Sequence, residues 1–363
     1  MITLILSGGA GTRFWPVSTK SFPKQYLTLF NHKSMIRLTF ERVLQFTKLN
    51  DIFIITTQDQ NALVKEHLPE LKEYQIINEP YSMNTAPCIT YALLYLKNLY
   101  QDQQSILILP SDHYIPDSLA FNDTIQNTDK IFNRQNKTII FGIKPYYPAT
   151  GYGYIQIDSD NTNLLFHVKH NMFKPSTNYQ NDQNFFLEMF HVKHFKEKPS
   201  LDLAVVYINQ SEYFWNSGMI YSEINYLLER IKYFGKNVFK ICEDALNSKD
   251  VFEAKSIYLK NTKEPIDIML LEKINELIMI PITYQWSDVG NWTSFSDLQN
   301  KDQDNNSGAN TIFLNSRNNF TLSTKKVVLI GINDLNIIDT DNFLLICHKE
   351  SAEKVKELVD QIN

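Results

Sequence analysis

The segment Ser7-Gly8-Gly9-Ala10-Gly11-Thr12-Arg13 directly follows a short apolar run at residues 2–6. Glycines let a backbone approach a phosphate closely, and successive N–H groups can cradle its oxygens. Arg13 closes the loop, and Lys24 stands in Pro23-Lys24-Gln25; either cation would strengthen phosphate contacts. The spacing matches neither a P-loop, which ends in Gly-Lys-Ser/Thr, nor a full G-x-G-x-x-G, because Phe14 occupies the last position. Taken alone, such a loop also suits a plain tight turn. Gly8, Gly9, Gly11 and Thr12 are the candidate nucleotide-binding positions, with Arg13 and Lys24 as candidate catalytic cations.

Three carboxylates are further candidates. Asp112 follows the apolar run 106–109, and Asp288 lies in Trp286-Ser287-Asp288-Val289-Gly290. A lone aspartate after a strand is more often a turn or cap residue than a ligand. Glu79 ends another apolar run and precedes Asn84-Thr85-Ala86-Pro87. Its bland role is a solvent-facing residue or a local cap. Guanine offers a sharper one, because its N1–H and exocyclic amine are adjacent donors that one carboxylate can accept as a pair. Uracil and thymine set a carbonyl beside N3–H and suit an amide better. Glu79 is therefore expected to select guanine, with Asn84 and Thr85 bordering the base.

The elements that must hold these residues alternate. Runs at 2–6, 52–56, 75–77, 106–109 and 138–143 read as buried strands, with amphipathic stretches between them. In 87–99, for example, Ile89, Leu93, Leu96 and Tyr100 recur at helical spacing. This rhythm implies an α/β fold with a largely parallel sheet, helices on both faces and ligands at the carboxyl ends of the strands. Residues 159–182 shift to Asn, Gln and His without periodicity and read as a surface insertion. A polar hinge at 301–310 leads to short strand-like pieces and a last helix with Val355, Leu358, Val359 and Ile362 on one face. The expected domains are 1–300 and a small β-rich unit at 310–363.

Composition narrows the class. With 43% hydrophobic and 21% charged residues, the 363-residue chain has ample apolar material for a core. A net charge of -5 gives no general attraction to nucleic acid or anionic membrane, so cations must be concentrated locally. Cys88, Cys242 and Cys347 are far apart and odd in number, as expected of reduced thiols in a cytoplasmic protein. No apolar stretch reaches the ~18 residues of a membrane span, and the amino terminus lacks the basic start of a signal peptide.

The segment GGAGTRFWPVSTKSFPKQ resembles the mannose-1-phosphate guanylyltransferases, or GDP-mannose pyrophosphorylases, of the sugar nucleotidyltransferase family. Further matches follow in order: NEPYSMNTAP at 78–87, LPSDH at 109–113, TGYGYI at 150–155, FKEKP at 195–199, WNSGM at 215–219, IDIMLLEK at 266–273 and WSDVGNW at 286–292. They cover nearly the whole chain. The glycine loop, EKP and NSG are shared by sugar nucleotidyltransferases generally, whereas Trp15-Pro16, PKQ, NTAP and SDVGNW are narrower. Thr19-Lys20, Phe14 and the 159–182 insertion depart from the usual pattern without touching a catalytic position.

The resemblance implies a Rossmann-like nucleotidyltransferase domain with a mixed, mostly parallel sheet, and a short β-helix-like C-terminal unit closed by a helix. It implies that Asp112 and Asp288 hold Mg²⁺, which favours one or two carboxylates completed by phosphate oxygens and water. It places the hexose among Gly153, Glu197 and Asn216, with Lys198 on the sugar phosphate. The implied reaction transfers GMP from GTP to mannose 1-phosphate. The sugar phosphate is already anionic and needs no strong base, so positioning and charge neutralisation should dominate. A homodimer is the expected assembly, with neither nucleic acid nor membrane as partner. The length suggests one activity rather than an added isomerase domain. Alternatives are another sugar 1-phosphate such as a manno-heptose or a hexose, a catalytically silent regulatory relative, and a dinucleotide-dependent oxidoreductase. The last is disfavoured by the missing third glycine.

Phe-His-Val-Lys-His occurs twice, at 166–170 and 190–194. The copies suit two strands of one hairpin, or a histidine metal site. At the DNA level, the codons TTT-CAC-GTG-AAA form a palindrome similar to bacterial centromere-like sites. Reading the gene tests that last possibility: palindromic codons in both copies are expected, and synonymous codons that break both would remove it.

Overall fold

The computed structural model describes residues 1–9, 11–100, 103–158, 166–168 and 185–362. They form two compact units: Met1–Gly8, Phe40–Pro110 and Ile115–Gln285 make the first, and Gly9–Thr39, Ser111–Tyr114 and Trp286–Asn363 the second.

The first unit is built on strands β1 (Ile2–Leu6), β2 (Ile52–Thr57), β3 (Ile76–Glu79), β4 (Ser105–Pro110), β5 (Thr138–Ile143), β6 (Tyr154–Ile157), β9 (Phe190–Lys196), β10 (Tyr213–Glu223) and β11 (Leu277–Ile282). The ribbon β7 (Phe166–Val168) with β8 (Phe185–Leu187) is separate. The main sheet runs β3-β2-β1-β4-β10-β5-β11-β9-β6. β1 pairs in parallel with β2 and β4, β2 with β3, and β11 with β5, while β10 is antiparallel to both β4 and β5. Central parallel strands are covered on both faces, which explains why β1, β4 and β5 read as continuous apolar runs. The helix Thr85–Leu99 buries Ile89, Leu93 and Leu96, as its spacing requires, whereas Tyr100 is the residue that ends it.

Most of the 159–182 segment lies outside the described residues. The two Phe-His-Val-Lys-His copies do not form a common hairpin. Phe166–Val168 of the first pairs with Phe185–Leu187, while the second lies in β9 against β6 and β11. His191 and His194 are exposed, and no group of three metal-binding side chains gathers among the described residues.

The second unit winds strands β12 (Thr311–Leu314), β13 (Phe320–Leu322), β14 (Val327–Ile330), β15 (Leu335–Asp339) and β16 (Leu344–His348). Thr311 pairs in parallel with Val327 and Phe320 with Asn336, each 16 residues on, so the chain climbs one coil per repeat. Buried Asn306 and Asn319 link the coils: Asn319 donates from its amide to Asn306 Oδ1 at 3.1 Å and to Ile332 O at 2.7 Å. Such buried amides are tolerable because their groups are paired. The closing helix Val355–Ile362 buries Val355 and Val359, but Leu358 is 44% exposed. Leu358 therefore does not share the buried face expected for it: an eight-residue helix seats its i, i+4 pair and leaves Leu358 on the rim.

An aromatic core holds the glycine-rich loop in this unit. Phe14 is fully buried, with its ring 4.7 Å from Trp292 and 6.4 Å from Phe295. Trp292 Nε1 donates to Trp15 O at 2.9 Å. Phe14→Ala should cost about 3–5 kcal/mol, and Phe14→Leu less than about 1.5 kcal/mol. Urea denaturation followed by tryptophan fluorescence checks this; equal midpoints for the two variants would contradict the anchoring role.

Candidate active site

In the second unit, Gly9, Gly11, Thr12, Arg13 and Lys24 come together. Gly11 sits at φ 59°, and a Cβ there would approach the Lys24 backbone nitrogen to 2.3 Å. Only glycine allows that approach. Ser18 Oγ donates to Gly11 O at 2.6 Å, and Gln25 Nε2 to Gly9 O at 3.1 Å, so the Pro-Lys-Gln segment braces the loop. Lys24 is buried; its Nζ donates to Asp112 Oδ2 at 2.7 Å and to Asp288 O at 2.5 Å. One ammonium thus joins two segments 176 residues apart in sequence, those of Asp112 and Asp288. Burial works to raise the Asp112 carboxyl, but the charge of Lys24, then His113 and the Lys24 hydrogen bond, hold it below its ordinary value. Both aspartates line a cavity of about 340 Å³ with Gly11, Arg13, His113 and Lys356.

Two carboxylates beside a cationic loop fit a hard divalent ion that takes its other ligands from phosphate and water. They do not make a closed cage, since no third acidic, imidazole or thiol group joins them among the described residues. Val289, next to Asp288, is buried with φ 46°. A β-branched residue in the left-handed region costs on the order of 1–3 kcal/mol, as is common where a site over-determines its backbone.

Glu79, Asn84 and Thr85 belong to the first unit. Glu79 is not solvent-facing but 2% exposed. Its Oε1 accepts from the Tyr258 hydroxyl at 2.9 Å and from Met83 N at 3.3 Å. Gly8, its other neighbour, leaves room beside Oε2, which would lie 3.5 Å from a Cβ there. Burial pushes the Glu79 carboxyl up to about 7, against hydrogen bonds from Tyr258, Met83 and Cys88. Asn84 adopts φ 78° and ψ 178°, a region nearly reserved for glycine, and its Oδ1 accepts from Thr85 N at 2.8 Å. Thr85 Oγ1 accepts from Ile266 N at 2.8 Å.

Gly153, Glu197, Lys198 and Asn216 also cluster in the first unit. A Cβ on Gly153 would meet Glu197 Oε2 at 2.7 Å and the Phe195 ring at 3.0 Å, so the glycine gives that carboxylate room. Asn216 N donates to Gly153 O at 2.8 Å, and Lys198 Nζ to Glu197 Oε1 at 2.5 Å. Two groups without a sequence-based role complete the cluster. Asp267 Oδ1 accepts from Asn216 Nδ2 at 2.8 Å, and Glu272 Oε1 accepts from Glu197 N at 2.9 Å. Burial, then the charge of Glu197, raises Asp267 to about 6.

The chain is similar to known proteins over its whole length. The family profile described as Nucleotidyl transferase matches residues 2–305, and one described as MannoseP isomerase/GMP-like beta-helix domain matches residues 309–362. The mannose-1-phosphate guanylyltransferase of Salmonella montevideo is 32% identical over 378 residues, spanning all of this chain and 74% of that protein. That of Escherichia coli is 32% identical over 374 residues, spanning all of this chain and 76% of that protein.

This chain belongs to the mannose-1-phosphate guanylyltransferase family.

Its fold is that of a crystal structure described as mannose-1-phosphate geranyltransferase from Thermus thermophilus, with TM-score 0.82 and 22% identity over 99% of this chain and 98% of that one. As a member of the nucleotidyl transferase family it is an enzyme of a class that generally works with a divalent metal. No helix among the described residues is long and apolar enough to cross a membrane.

Four residues of these clusters escaped sequence reading: His113 and Lys356 in the second unit, Asp267 and Glu272 in the first. His113 stands in the Leu-Pro-Ser-Asp-His match, and its Nδ1 accepts from Trp286 Nε1 at 3.2 Å. Asp267 and Glu272 stand in IDIMLLEK, so the match itself was their signal. Nothing in the sequence marked Lys356.

The buried Glu79 sets a pH dependence. Its folded pKa of about 7 lies above the ordinary 4.5, so the neutral form's contribution to stability is full below 4.5 and lost as pH rises through 7. Glu79→Gln, which cannot ionise, should gain on the native protein by up to about 3 kcal/mol between pH 4.5 and pH 8. Urea midpoints at several pH values measure this; a pH-independent difference would reject the shifted carboxyl.

Proposed function

We propose that this chain transfers GMP from GTP to α-D-mannose 1-phosphate, giving GDP-mannose and pyrophosphate, with Mg²⁺ as its metal. The observation that carries the proposal is the cavity in which Lys24 ties Asp112 to the Asp288 backbone beside the glycine-rich loop. The relatives' names support the choice of guanosine and mannose.

An oxygen of the sugar phosphate attacks the α-phosphorus of GTP. The new P–O bond forms as the bond to the α,β-bridging oxygen breaks, and that oxygen leaves with pyrophosphate. No proton must be removed from an anionic phosphate, so no general base is assigned. Gly8, Gly9, Gly11 and Thr12 accommodate the nucleotide, and their glycines leave the backbone N–H groups accessible to phosphate. Arg13 and Lys24 stabilise charge on the transferring and leaving phosphates. When bound at Asp112 and Asp288, Mg²⁺ would offset the repulsion between the two anionic reactants.

Glu79 reads guanine, with Asn84 and Thr85 at the edge of the base. Two N–H donors of guanine favour ionised Glu79, so GTP binding near pH 7 would release a proton from it. Gly153, Glu197 and Asn216 hold the hexose, and Lys198 aligns its phosphate. Asp267 orients the Asn216 amide by accepting one of its N–H bonds, leaving the other for a sugar hydroxyl.

Pyrophosphate release from GTP, Mg²⁺ and a panel of sugar 1-phosphates tests the reading. Mannose 1-phosphate should be preferred, Asp112→Asn should lower turnover by about 100-fold or more, and Glu79→Gln should erode the preference for GTP over UTP. Preference for a manno-heptose or another hexose 1-phosphate would reassign the substrate; full Mg²⁺-dependent activity in Asp112→Asn would sink the metal assignment.

A further inference from the structure

The C-terminal helix carries a cation to the cavity of the glycine-rich loop. Lys356, its second residue, lines the same cavity as the glycine-rich loop, Arg13, Lys24 and both aspartates. The helix packs against the turn Thr12–Phe14. Val355 and Val359, each buried, fix its position on either side of Lys356, which is itself exposed.

The charges in the cavity are not equivalent. Lys24 is already engaged by Asp112 and by the Asp288 carbonyl. Lys356 has no carboxylate partner among the described residues. In a chain with net charge -5, an ammonium left unpaired in a cavity lined by a phosphate-type loop is best matched by an anionic ligand.

Resting on the reaction proposed above, we infer that Lys356 binds the β- and γ-phosphates of the nucleotide, and hence the departing pyrophosphate. Its charge is held by neither aspartate, which leaves it available to an anion in the cavity. A lysine suits this task as a mobile point charge that need not match one fixed oxygen geometry. The small C-terminal unit thereby becomes part of the catalytic apparatus: its closing helix supplies a substrate-binding residue.

The test compares native protein, Lys356→Met and Lys356→Arg. Methionine keeps the aliphatic stem and removes the charge; arginine keeps the charge. Lys356→Met should raise KM for GTP, and for pyrophosphate in the reverse direction, by about tenfold, the scale of one charge-assisted hydrogen bond. KM for the sugar 1-phosphate and for the sugar nucleotide should stay within about twofold, melting temperature should be unchanged, and Lys356→Arg should restore most of the loss.

Calorimetric titration with inorganic pyrophosphate and Mg²⁺ gives a readout independent of turnover. If the native protein shows no turnover on the sugar panel, the proposed reaction fails, while weaker pyrophosphate binding by Lys356→Met would still support the phosphate role. Native-like pyrophosphate binding by Lys356→Met overturns the inference. So does an equal rise in KM for every substrate that arginine fails to restore.

Discussion

The second unit depends on one buried ammonium. Lys24 Nζ reaches Asp112 Oδ2 and Asp288 O, and burying it without partners would cost several kcal/mol. Satisfying it forces three distant stretches of chain into one place. The requirement extends outward from there. Gly11 must lack a side chain because the Lys24 backbone passes too close, and Phe14 must be buried so that the loop's end is held. Val289 is carried into a conformation that a β-branched residue otherwise avoids. A residue of such central structural importance is also placed to meet an anion, which explains why structure and proposed chemistry cannot be separated at this position.

The first unit uses buried carboxylates differently. Glu79 and Asp267 both have raised pKa values, because burial penalises their charged forms more than their hydrogen-bond donors favour them. Each is fixed by partners from remote segments: Tyr258 holds Glu79, and Asn216 donates to Asp267. Thr85 bonds the backbone at Ile266, next to Asp267, and so links the candidate base-binding segment to the candidate sugar-binding one. The candidate site residues Asn84 and Lys198 share a positive φ with Val289, the neighbour of Asp288. Strain of this kind persists only where surrounding contacts over-determine the backbone. Its presence in all three clusters accords with preorganised binding rather than with loops that order around a ligand.

The small coiled unit has two faces of interest. Its buried asparagines and parallel 16-residue coils make a rigid stack. Its last helix then brings Lys356 to the cavity of the glycine-rich loop. The two matched family profiles meet between residues 305 and 309. The compact units divide the chain otherwise, because Gly9–Thr39 and Ser111–Tyr114 pack with the C-terminal part. Sequence similarity follows stretches of chain, whereas compactness follows contacts.

The sequence by itself determined the central strands, since strands covered on both faces must be largely apolar, as β1, β4 and β5 are. It determined the helical stretch 87–99 through its spacing, and it marked Gly11, Lys24, Asp112 and Asp288 through residue type and motif. Only the tertiary structure decided that Lys24 bonds both aspartate segments, that Glu79 is buried rather than wet, that Leu358 turns outward, and that Asp267 and Lys356 belong to the clusters at all. The physical reason is the range of the forces involved. Periodicity and turn chemistry act between neighbours and leave a local trace, whereas charge pairing, desolvation and cavity lining depend on residues brought together from hundreds of positions apart.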